Sequence, residues 1–162
     1  MPARPVVYVL ALGLLAACGG KAAPDVEATE APRAAAPAAP PTLPLATMQR
    51  LVDSVDHVDY LFYELEFSMS MDQRQGINYA IATIGEEPAA RRPDCKPIGR
   101  IFYEIGGNTA VDAQLYFSAG CTYLEFLDAD GAVAYANRVS PVGRDFLNQQ
   151  FGQIIKDYVA VE

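Results

Sequence analysis

CTYLEFLDADGAVAYANRV, residues 121–139, decides how the second half of the chain folds. Its two flanks, 121–127 and 132–139, carry aromatic and β-branched side chains, and Asp128-Ala129-Asp130-Gly131 lies between them. Aspartate at the first position and glycine at the fourth fit a type I turn, with Gly131 supplying the positive φ. The stretch therefore predicts a β-hairpin. Counted out from that turn, Phe126 stands opposite Ala134 and Glu125 opposite Tyr135.

Upstream, residues 99–105 are β-rich and stop at Gly106-Gly107-Asn108. Val111, Ala113, Leu115 and Phe117 then alternate with Asp112, Gln114 and Tyr116, and Gly120 ends that run. The period of two predicts a strand. Downstream, Ser140-Pro141 offers a cap and a first-turn proline, and Leu147, Phe151, Ile154, Ile155 and Tyr158 follow at helical spacing. Nearer the N-terminus, Met48, Leu51, Val52, Val55 and Val58 predict a helix over 47–60, capped by Thr47. Residues 64–69 alternate, which suits an extended segment, although a continuing helix fits almost as well. Ser70-Met71-Asp72-Gln73 has the form of a capping box, and Ile77, Ala80, Ile81 and Ile84 form the stripe of a second helix, ended by Gly85 and Pro88. Residues 86–97 read as a loop. The sum is an α+β fold: a four-stranded antiparallel meander packed by two N-terminal helices and one C-terminal helix.

This domain, 47–162, is large enough for one modest core. Before it, residues 19–46 are dominated by alanine and six prolines. Such a segment cannot bury enough surface to offset its chain entropy, and its prolines favour extended, semi-stiff backbone reaching at most roughly 85 Å.

The extreme N-terminus carries Arg4, an apolar run over 6–14, and Leu15-Ala16-Ala17-Cys18 followed by Gly19-Gly20. The run is too short to span a bilayer and suits a secretion signal. These residues resemble the lipobox of bacterial lipoproteins, over 1–18 only. The resemblance implies that 1–17 is a signal peptide and that Cys18 receives a diacylglyceryl group, usually with a further acyl chain such as palmitate. The protein would then be held at the cell envelope through lipid, with 18–46 as its tether. Gly19 lacks the acidic character that resembles an inner-membrane retention signal, so the analogy favours the outer membrane.

Composition narrows the partners. The formal charge is −8, and removing 1–17 takes away a basic residue, Arg4. That balance argues against nucleic acid and against a polybasic contact with anionic lipid. Cys95 and Cys121 remain in an exported domain, where disulfides persist, so they are expected to pair; two half-buried thiols are the other arrangement.

Little catalytic chemistry is legible. The single histidine, His57, follows Asp53 by four residues with Asp56 beside it, a weak candidate metal site on what otherwise reads as a solvated helix face. No cofactor motif is present, and no Gly-x-Ser-x-Gly elbow supports Ser68 or Ser70 as nucleophile. Glu64 with Glu66 and Glu86 with Glu87 are neighbouring pairs of the kind usually solvated. Nine tyrosines occur without tryptophan, and Tyr103, Tyr116, Tyr123 and Tyr135 fall in expected strands. On one exposed face they would form a surface for a protein or glycan; otherwise they pack beneath helices with hydroxyls at the edge. The reading that follows is a non-enzymatic, lipid-anchored binding module. A small carboxylate- or metal-dependent envelope enzyme is the alternative.

Overall fold

The computed structural model describes residues 39–155 and 158–162. The signal-like segment, Cys18 and most of the Ala/Pro-rich stretch lie outside them. The elements are α1 (Leu45–Ser54), β1 (His57–Phe62), β2 (Ser68–Met71), α2 (Arg74–Ala82), β3 (Ile84–Pro88), β4 (Gly99–Ile105), β5 (Asn108–Ser118), β6 (Cys121–Leu127), β7 (Val133–Val139) and α3 (Pro141–Ile154). The strands form one antiparallel sheet of seven, in the order β2-β1-β4-β5-β6-β7-β3.

This corrects the four-stranded sheet read from the sequence. The meander β4 to β7 is its centre, but three further strands flank it. The helix expected over 47–60 spans Leu45–Ser54 instead, and the chain then extends into β1. Val58 continues the helical spacing of Val55 but also alternates with Tyr60 at the strand period of two, and both are fully buried from β1. The capping box does not form. Ser70 sits in β2, and its hydroxyl donates to Asp59, so α2 begins at Arg74 with no side-chain cap. Gly85 and Pro88, read as helix stops, belong to β3. A Cβ on Gly85 would stand 2.6 Å from the Arg138 carbonyl oxygen, so glycine here permits the close approach of β3 to β7.

At the hairpin, Gly131 has φ 78° and donates to the Asp128 carbonyl at 3.0 Å. The Asp128 carboxylate also accepts from the backbone N–H groups of Asp130 and Ala132. The register differs by one from the count above, because the ladder shifts between Phe126 and Leu127. Phe126 lies opposite Tyr135 and Glu125 opposite Ala136. A shift of one residue exchanges the two faces of a strand, and it moves Tyr135 away from Glu125.

All three helices cover one face. Leu51 of α1, Ile77, Ala80 and Ile81 of α2, and Leu147 and Phe151 of α3 pack on Val58, Ile101, Leu115, Leu124 and Phe126. The cap of α3 forms as the sequence predicts: Ser140 accepts from Gly143 N–H at 2.9 Å, with Pro141 in the first turn. No helix among the described residues is long and apolar enough to cross a membrane. The chain enters the domain along β7, where Pro41 accepts from Ala136 N–H and Leu43 N–H donates to the Asn137 side chain.

Candidate functional site

The four tyrosines divide between the two faces of the sheet. Tyr103 is fully buried beneath the helices and donates to the Ala80 carbonyl at 3.2 Å. Tyr135 packs against the same core. Tyr116 and Tyr123, paired across β5 and β6, lie on the opposite face, with ring centroids 4.2 Å apart and planes 13° from parallel. They are not an open platform, since both are buried.

Their cover is the segment 89–97, which crosses the second face of the sheet. Ala89 N–H donates to Ala136, Arg92 donates to the Gly120 carbonyl, and Cys95 is disulfide-bonded to Cys121 with Cα atoms 5.8 Å apart. Ala89, Tyr116, Cys121, Tyr123 and Ala136 form a small second core under this strap.

Within it sits Glu125, only 1% exposed. A carboxylate removed from water needs partners for its charge and lone pairs. Arg91 Nε donates to Oε1 at 2.6 Å, and the Tyr116 hydroxyl donates to Oε2 at 3.0 Å. Burial, reinforced by the neighbouring carboxylate, holds the Tyr116 phenol well above its usual range, so it remains a donor. The hydrogen bond to Glu125 and its charge raise the pKa of Arg91 in turn. Arg91 is 57% exposed, so a buried carboxylate orients a guanidinium whose outer edge meets water. Over this set opens a groove of about 800 Å³, lined by the strap and by Ala39 and Pro40.

The other candidates do not converge. Because α1 ends at Ser54, Asp53, Asp56 and His57 share no helix face. Asp53 accepts from Gln49, Asp56 accepts from Gly106 N–H at 2.8 Å, and His57 pairs with Asp59 at 3.1 Å. Among the described residues no three metal-ligating side chains are placed to share an ion. Ser70 and His57 both address Asp59, so the serine meets a carboxylate and not the imidazole a nucleophile needs. Glu64, Glu66, Glu86 and Glu87 are exposed.

Arg91 and Glu125 went unread in the sequence. Their one signal is a glutamate between Leu124 and Phe126 in an otherwise apolar strand. No family model, curated protein or solved structure matches the chain.

Proposed function

We propose that this protein is a non-enzymatic binding module of the bacterial envelope, held at the outer membrane by lipid on Cys18 and seating part of a protein or glycan partner in the groove over Tyr116, Tyr123 and Glu125. The observation that carries the binding role is a half-exposed guanidinium, fixed by a buried carboxylate, in a concavity that the edges of the largely covered Tyr116–Tyr123 pair help to line. A few placed polar groups in a largely apolar hollow are the usual make-up of a recognition site. Glu125 has both oxygens occupied, and among the described residues no second carboxylate lines the groove. That arrangement favours recognition over paired-carboxylate catalysis. The lipobox-like stretch supports the anchor, and the Ala/Pro-rich segment supports a stand-off from the membrane.

The test is photo-crosslinking in intact cells from a reactive residue at Ala90, on the groove wall. A discrete adduct that disappears with Arg91→Ala is expected. Adducts unchanged by Arg91→Ala overturn the assignment of the groove.

A further inference from the structure

We infer that a second groove, between α2 and α3 on the helical side of the sheet, is a binding site for a neutral carbohydrate chain. It is independent of the groove over Glu125. Its floor is aromatic: Tyr79 from α2 and Phe146 from α3 present rings 5.7 Å apart with planes 1° from parallel. Tyr79 is 43% exposed, whereas Ile77, Ala80 and Ile81 of the same helix are buried. Val142, one turn before Phe146, extends the apolar strip and is also exposed.

The rim carries amides. Gln75 stands one turn before Tyr79 on α2, and Gln149 and Gln150 one turn after Phe146 on α3, so helical spacing brings all three to the groove. Among the described residues these three make no side-chain hydrogen bond within the protein, whereas Gln73, at the end of the groove, is bonded to Asp72. The volume is about 590 Å³, within the ordinary range for small-ligand sites.

The chemistry of this lining selects its ligand. A pyranose ring has an apolar C–H face, which suits an aromatic floor. Its rim of hydroxyls both donates and accepts, and side-chain amides can do both in return. Among the described residues lining the groove, a carboxylate ligand meets no cation. A cationic ligand meets one charged side chain, Asp145. In a chain of formal charge −8, a groove edged by glutamines fits an uncharged, hydroxyl-rich ligand.

The test titrates the full-length protein, in zwitterionic detergent micelles, with tetra-N-acetylchitotetraose, cellotetraose and maltotetraose. Binding is followed by calorimetry and saturation-transfer NMR. At least one of these neutral sugars should bind saturably, with transfer to its ring C–H protons. Tyr79→Ala should weaken that binding about tenfold or more, and Tyr79→Phe should largely preserve it. The double variant Gln75→Ala with Gln149→Ala removes two exposed side chains without touching the core, and should weaken binding comparably. Arg91→Ala, in the other groove, should leave it unchanged. No saturable binding by any of the three overturns the inference. So does an affinity indifferent to both groove variants, or a preference for an oligogalacturonate over the neutral sugars.

Discussion

Two tyrosines in the core separate the worth of a hydroxyl that is paired from one that is not. Tyr103 donates to Ala80, whereas among the described residues no group meets the buried Tyr60 hydroxyl with hydrogen-bond geometry, Thr83 being its polar neighbour. Removing a paired group loses about 0.5–1.5 kcal/mol, and removing an orphan relieves a desolvation penalty. Tyr103→Phe should therefore destabilise by that amount, while Tyr60→Phe should leave stability unchanged or raise it, as read by urea unfolding. Alkaline titration should show the same burial collectively. Tyr60, Tyr103 and Tyr116 have pKa values raised above 10.0, chiefly by desolvation. Above pH ~10 the unfolded chain gives up these protons and the folded chain keeps them, so stability holds below that pH and falls as pH rises through it. Unfolding midpoints at pH 8 and pH 11 measure the drop, which Tyr116→Phe should reduce. None of these assignments could be read from sequence. Which face a strand residue takes depended on a one-residue ladder shift at Phe126, and that shift sent Tyr135 to the core.

Among the elements, the strap at 89–97 and strand β3 carry the most testable claims. In the chain-entropy model, the disulfide, with its sequence separation of 26, stabilises by roughly 3–4 kcal/mol. Cys95→Ser with Cys121→Ser should lower the melting temperature. It should also release amide protection at Ala89 and around the second core while β4 and β5 stay protected in hydrogen exchange. Gly85→Ala places a methyl against the Arg138 carbonyl and should destabilise by about 1–3 kcal/mol; an unchanged unfolding midpoint would contradict the close β3–β7 approach. The elements that were legible were those with two agreeing signals: the β6–β7 turn with its Asp and Gly, and α3 with Ser140, Pro141 and an apolar stripe. Those misread had one ambiguous signal. Val58 continues the helical spacing from Val55 and also alternates with Tyr60 as in a strand, and only the partner strands β2 and β4 make the extended form of 57–62 worthwhile. Strand β3, with Gly85, two glutamates and Pro88, has almost no strand propensity of its own and is formed by its pairing with β7.

For the whole molecule, the α+β class and the consecutive central strands were open to reading, whereas the width of the sheet rests on pairings between residues far apart in sequence, such as β1 with β4. The groove was illegible for the same reason, since Arg91 and Glu125 are 34 residues apart. The proposed anchoring is checked by fractionation: Cys18→Ala should move the protein from the membrane to the soluble fraction, and retention would contradict lipidation. Finally, the entry of the chain at Pro41 and Leu43 has a mechanical corollary. Tension between the proposed anchor and a partner held, as proposed, beside Ala39 and Pro40 would travel through a few peptide units and the two bonds to β7, bypassing most of the sheet. A hard tug would thus peel a short seam, drawing Leu43 out of the edge of the core before it loads the rest of the interior, as a tear strip opens a packet along one line.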